Sequence, residues 1–192
     1  MKKSILVILL LFFFSKIHAQ TNEINITDRC TNQTSETDGS LYLKDISNLY
    51  TPYLGTWKWT DGTKEFVITL IKQTKFHYNQ GNDDFYEDRI VGYYVYMQDE
   101  FDIINTTSDN LNDDYGVKVS FSLDCYSQLS GTIYDVPKNK TYSAWFEIIS
   151  PTQIRLKCKE REYHRPVKEG MPAPAPVYVG NTFPLDMVLT KQ

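Results

Sequence analysis

From Gly55 onward, apolar and polar residues alternate along most of the chain, a period of two that turns one face of each segment to a core and the other to water. Gly55, Trp57 and Trp59 alternate with Thr56, Lys58 and Thr60. Asp61-Gly62 then marks a hairpin, because that pair tolerates the positive φ angles of a type I′ turn. The return strand, residues 64–71, groups Phe66, Ile68 and Leu70 and extends toward Tyr78. A polar turn at 79–84 leads to a long aromatic strand at 87–97. It is predicted to carry Val91, Tyr93, Val95 and Met97 on its inward face, with Gly92, Tyr94 and Tyr96 opposite.

A short strand at 101–105 and an Asn/Asp-rich loop at 106–115 follow. Val117, Val119, Phe121, Leu123 and Cys125 then alternate with Lys118, Ser120, Ser122 and Asp124, the pattern of a half-buried strand. Leu129, Gly131 and Ile133 form its hairpin partner. Residues 142–149 and 154–158 give two further strands, the latter with Arg155, Lys157 and Lys159 on its solvated face, and Leu185, Met187 and Leu189 give the last. Residues 41–53 break the period: Leu41, Leu43, Ile46 and Leu49 lie near one helical face, which predicts a short helical turn before the first strand. The segment 166–184 holds five of the eight prolines and reads as an extended loop.

Strands joined by hairpin turns predict an all-β antiparallel up-and-down meander. Exposed edges and apolar faces are costly, so it is expected to close as a barrel of about eight or nine strands, with the last strand pairing to the first. The domain plan is a signal peptide at 1–19, a flexible polar leader at 20–40 and a single barrel domain at 41–192. Lys2 and Lys3 precede an apolar run at 5–14, and Ile17-His18-Ala19 fits a cleavage site. Ten apolar residues are too few to span a bilayer, which takes about 20. The mature chain is therefore expected to be exported, periplasmic or extracellular, with no membrane span.

Cleavage after Ala19 removes three of the 20 basic residues and none of the 24 acidic ones, moving the formal charge from −4 to −7. An acidic chain without a basic cluster argues against nucleic acid as a partner. Export permits a disulfide. Cys30, Cys125 and Cys158 leave one thiol over, and a Cys125–Cys158 bridge, a bridge using Cys30 and no bridge are all compatible with the sequence. Asn25, Asn32, Asn105 and Asn139 begin Asn-x-Ser/Thr triplets, which an Asn- and Thr-rich composition explains.

Candidate chemistry is sparse. Asp83, Asp84, Glu87 and Asp88, and likewise Asp109, Asp113 and Asp114, offer oxygen ligands, but neither group has EF-hand spacing and both read as solvated turns. His77 and His164 are the only histidines after cleavage, too few for a multi-histidine zinc site. Cys158 and His164 define no particular geometry. Glu87 and Asp88 remain the carboxylate pair for a hydrolase. No cofactor or metal is expected. Fourteen tyrosines suit core and cross-strand packing as well as stacking surfaces.

Gly55-Thr56-Trp57, at the start of a meander and after a helical lead-in, resembles the lipocalin Gly-x-Trp motif. That resemblance implies a barrel with the tryptophan at its closed end, and an arginine near the last strand packed over it. Neither Arg155 nor Arg165 fits that role. Three stretches extend the likeness: Gly55-Thr56-Trp57-Lys58-Trp59, Glu87-Asp88-Arg89-Ile90-Val91-Gly92-Tyr93-Tyr94 and Leu185-Asp186-Met187-Val188-Leu189-Thr190-Lys191-Gln192. Through them the chain resembles an uncharacterised family of secreted Bacteroidetes-type proteins, a domain of unknown function, which implies a secreted β fold and no activity.

The leading expectation is a monomeric, non-enzymatic barrel that binds a small apolar ligand. An eight-stranded barrel has room for one. Phe66, Ile68, Val91, Tyr93, Phe121 and Phe146 are expected to line it. The alternatives are a cell-envelope module that binds a protein or glycan through its outer surface, and a hydrolase using carboxylates.

Overall fold

Alternation becomes strand pairing in the computed structural model of the chain, which describes residues 22–31, 35–112, 117–124, 126–161 and 175–192. The strands are β1 (Asn22–Asn25), β2 (Thr37–Lys44), β3 (Gly55–Asp61), β4 (Lys64–Gln80), β5 (Asp83–Gln98), β6 (Phe101–Asn105), β7 (Val119–Leu123), β8 (Leu129–Asp135), β9 (Lys140–Ser150), β10 (Gln153–Glu160) and β11 (Asp186–Lys191). Helix among the described residues is limited to 3-10 turns at Ile26–Asp28 and Thr51–Tyr53.

Eight strands close a barrel in the order β5-β4-β3-β11-β10-β9-β8-β7, with β7 returning to β5. Every pairing around this ring is antiparallel. The last strand meets β3, the first of the ring in sequence, with Thr190 opposite Lys58 and Lys191 opposite Trp57. β6 stays outside the ring as a short hairpin on the end of β5. Gly92 and Gly131 lie on the two strands that flank β7. A Cβ at Gly92 would stand 2.2 Å from the Thr69 carbonyl oxygen, and one at Gly131 2.0 Å from that of Ser120. Only glycine permits those approaches, the first to β4 and the second to β7.

Three details depart from the sequence pattern. The β3–β4 loop is Gly62-Thr63, one residue later than expected: Asp61 pairs with Lys64, and Gly62 alone takes positive φ there. The faces of β5 are reversed. Tyr96 and Tyr94 pair with Phe66 and Ile68, and residues directly opposite share a face, so Ile90, Tyr94 and Tyr96 point into the core. Val91 and Tyr93 lie on the outer face, Val91 buried and Tyr93 half-buried.

Third, strand structure begins ahead of the predicted helical turn. β2 runs parallel to β5, with Tyr42 opposite Tyr86 and Leu43 opposite Glu87, and β1 runs parallel to β2. Both lie within or overlap the stretch read as a polar leader. Leu41, Tyr42 and Leu43 are consecutive and all buried, the mark of a strand covered on both faces, and this run conceals the period of two. The helical turn is confined to Thr51–Tyr53. β4 and β5 continue past the barrel to reach β2, bending at a bulge where Lys75 takes φ 51°.

Candidate functional site

The barrel interior is where a ligand was expected, and its walls are aromatic. Phe66, Ile68, Phe121 and Phe146 all lie in the core at no more than 1% exposure. Val91 and Tyr93 do not join them, for the reason of register given above. Tyr94, Tyr142 and Phe183 are among the aromatic side chains that share the core with these four. Phe183 belongs to no strand. It is carried on the segment leading into β11, and its ring centre lies 5.4 Å from Phe66, 5.5 Å from Tyr94 and 5.8 Å from Tyr142. Phe121 and Phe146 meet at 4.8 Å and Tyr53 and Phe146 at 6.4 Å. These are contact separations for aromatic pairs. The one sequence hint of Phe183 is a large aromatic that follows Gly180, Asn181 and Thr182 and precedes Pro184.

The segment 175–183 lies as a strap over this end of the barrel. Asn139 Nδ2 donates to the carbonyls of Ala175 and Pro176, and Tyr178 N donates to the Lys138 carbonyl. Lys140 Nζ donates to the Gly180 carbonyl at 3.1 Å. Thr182 donates to fully buried Asp135 through both its amide, at 2.8 Å, and its hydroxyl, at 2.7 Å. Val177, Tyr178 and Val179 of the strap itself are exposed, as is Val136.

The opposite end is closed by Tyr50, Tyr53 and Trp57. Trp57 is fully buried and its Nε1 donates to the Tyr53 carbonyl at 2.7 Å. Lys191 Nζ stands over its ring. A cation from the last strand therefore covers this tryptophan, but it is a lysine, where the lipocalin resemblance leads one to look for an arginine.

Beside this closed end lies a buried polar network. Glu87 and Asp88 are each 2% exposed, so they are not the solvated turn that the sequence suggests. As successive strand residues they face opposite sides of β5 and have separate partners. Glu87 receives both Nη groups of Arg29, at 3.1 and 3.3 Å, and the Ser122 hydroxyl. Burial pushes its carboxyl above the usual range, against the pull of Arg29 and Ser122.

Asp88 accepts from Tyr42 Oη at 2.6 Å and from the amides of Lys75 and Asp45. Lys72 Nζ bridges Asp88 and Asp45, at 3.3 and 3.0 Å. Burial raises the Asp88 carboxyl, but these bonds and the Lys72 charge together outweigh it and hold the group below its usual value. Asp45 accepts in turn from the amides of Leu49 and Tyr50, so it ties β2 to the 3-10 turn. The two carboxylates thus act as clamps on different segments.

Asp83 and Asp84 lie at the tip of the β4–β5 hairpin, where an open groove of about 510 Å³ is lined by Thr37, Asn79, Gly81, Asn82 and both aspartates. His77 Nε2 lies 2.7 Å from Asp84 Oδ1, and its ring stacks on Tyr86. No three His, Cys, Asp or Glu side chains converge as metal ligands among the described residues. Asp113, Asp114, Cys125 and His164 fall outside those residues. Cys30 is in a disulfide and Cys158 is a free thiol, pushed up to about 12 by burial. No helix among the described residues is long and apolar enough to cross a membrane.

The molecule is a closed eight-stranded antiparallel β-barrel with added strands on its amino-terminal side and an aromatic interior. The chain belongs to a family of unknown function (DUF6705), whose family model matches residues 1–192. No curated protein and no solved structure matches it.

Proposed function

We propose that the protein is an exported, non-enzymatic binding module that recognises a protein or glycan at the cell envelope through its outer surface. The observation that supports this reading is the occupied interior, where Phe66, Tyr94, Tyr142 and Phe183 pack ring against ring. Export is supported by the leader at 1–19 and by the Cys30 disulfide, since such bonds persist in oxidising compartments. The test is native mass spectrometry of chain recovered from the secreting host, with titration by an apolar fluorescent dye. The expected result is an unliganded mass and no dye uptake. A stoichiometric apolar ligand in the wild-type protein overturns the reading.

A second reading keeps the lipocalin-like apolar site, and one observation favours it. Phe183 comes from a hydrogen-bonded strap and not from the barrel wall, so its ring can leave without breaking a strand pairing. A ligand would then take its place against Phe66, with Ile68, Phe121 and Phe146 deeper in the barrel. This reading predicts dye uptake by the wild type, the result that overturns the first.

A further inference from the structure

Of the five other buried charges among the described residues, four have an opposite charge beside them: Glu87 has Arg29, Asp45 and Asp88 have Lys72, and Lys140 has Glu160, all within 3.3 Å. The fifth, Asp135, has no ion pair among those residues, but both its oxygens accept, from the Thr182 amide and hydroxyl and from the Lys138 amide. Arg89 has neither an ion pair nor a full set of hydrogen bonds. It is 3% exposed, on the outer face of β5, and no carboxylate pairs with it among the described residues. Its Nε donates to Gln73 Oε1 at 2.8 Å and one Nη reaches Tyr78 Oη at a long 3.5 Å. The other Nη is buried with no partner. The Phe76 ring centre lies 3.2 Å from the guanidinium carbon and covers one face of the group.

A guanidinium stays charged under all conditions in which proteins fold. Leaving it buried without a counter-charge, and with an N–H unmet, is costly. Glu87 lies on the same face two residues away, but its oxygens are engaged by Arg29 and Ser122. Tyr78, the remaining titratable neighbour, is held protonated by burial and offers Arg89 a neutral hydroxyl.

We propose that Arg89 is the base of an anion site, which takes one carboxylate or phosphate group of a ligand on its free Nη edge. The planar fork suits such oxyanions, Phe76 stacks on the guanidinium face, and Gln73 and Tyr78 hold the plane in position. The site is on the outside of the barrel and does not depend on what the interior holds.

The test is thermal unfolding of the full chain at low salt with acetate, inorganic phosphate or glucuronate, against chloride at matched ionic strength. One oxyanion is expected to raise Tm saturably, by roughly 4 °C or more beyond chloride, and R89Q to lose that response. Acetate against glucuronate separates a bare carboxylate from a sugar acid, and phosphate marks a phosphorylated ligand. Should R89Q fail to fold, side-chain ¹⁵N spectra of wild-type arginines serve instead: one buried guanidinium is expected to shift with the oxyanion and not with chloride. No oxyanion-specific response in either measurement, or an equal response in folded R89Q, overturns the site. Gln73, the partner of Arg89, donates its Nε2 to Asn112 Oδ1 at 2.8 Å, and Asp113 and Asp114 follow Asn112 in the sequence. If one of them already supplies the oxygen, wild type ignores added anion and the D113N/D114N variant gains the response, which overturns it equally.

Discussion

Lys191 stands directly opposite Trp57 across the β11–β3 ladder, its Nζ 5.1 Å from the ring centre. It continues the inward row of Met187 and Leu189, so the last strand ends by laying a cation across the barrel's closed end. Lysine over an indole at an exposed site contributes about 0.5–1 kcal/mol. K191M keeps the alkyl cover and removes the charge, so it should lower stability by about that amount in urea melts. W57F should cost more, because it also strands the buried Tyr53 carbonyl, at about 1–3 kcal/mol. Equal losses in the two variants would mean that the tryptophan acts only as bulk.

Glu87 and Asp88 should titrate with opposite effects on stability. Asp88 sits below its ordinary 3.8, so its contribution is present above that pH and is lost as pH falls through the lowered value. Glu87 sits above its ordinary 4.5, so folding favours its protonated form. That contribution is complete below 4.5 and fades as pH rises through the raised value. Urea midpoints measured from pH 2.5 to 8 check both signs. D88N should flatten the acid limb below about pH 4, and E87Q should remove the decline on the side above 4.5. An E87Q profile parallel to wild type would contradict the direction assigned to Glu87.

The legible parts of this fold are the strands with one dry and one wet face. β4, β7, β8, β9, β10 and β11 bury residues at a period of two, and the pattern at Val119, Phe121 and Leu123 carries straight into the core. β5 misled because aromatic residues occupy both of its faces and Val91 is buried on the outer one, so alternation alone does not say which side is inward. Register against Phe66 and Ile68 decides it, and register is not written in one strand. β2 was hidden by three successive buried residues. The polar network was unreadable for a different reason: Glu87 and Asp88 look solvated until Arg29, Tyr42 and Lys72, distant along the chain, are brought beside them. Phe183 has no periodicity at all, so only the fold reveals that it is core.

The cysteines should divide into one bridge and one inert thiol. With Cys30 bridged and Cys158 free, the bridge is expected to run to Cys125, the remaining cysteine of the sequence. A peptide map without reduction should link the Cys30 and Cys125 peptides. Reduction should cost about 2–4 kcal/mol, since the bridge closes a long loop. Burial holds the Cys158 thiol near 12, so at pH 8 iodoacetamide should leave it untouched in the native chain and label it only after unfolding. Rapid native labelling would place this thiol in contact with water.

Phe183 is the residue on which the two functional readings divide. Its ring is 1% exposed and touches Phe66, Tyr94 and Tyr142, yet its backbone belongs to a strap held by Asp135, Asn139 and Lys140. F183A removes the ring and leaves the strap's hydrogen bonds in place, so the barrel should retain its pairing around an apolar void. The loss is about 3–5 kcal/mol for truncating a buried phenylalanine, or on the order of 10 °C in Tm for a chain of this size. Apolar voids of this kind stay dry and take up small hydrocarbons. Benzene or an apolar dye should therefore bind F183A, and raise its Tm in proportion to concentration, while leaving wild type unchanged. T182A tests the strap separately. It removes one hydrogen bond to Asp135 and should cost about 1 kcal/mol without opening the interior. Dye uptake by T182A as strong as by F183A would show that the strap, and not the fit of the ring, keeps the barrel closed.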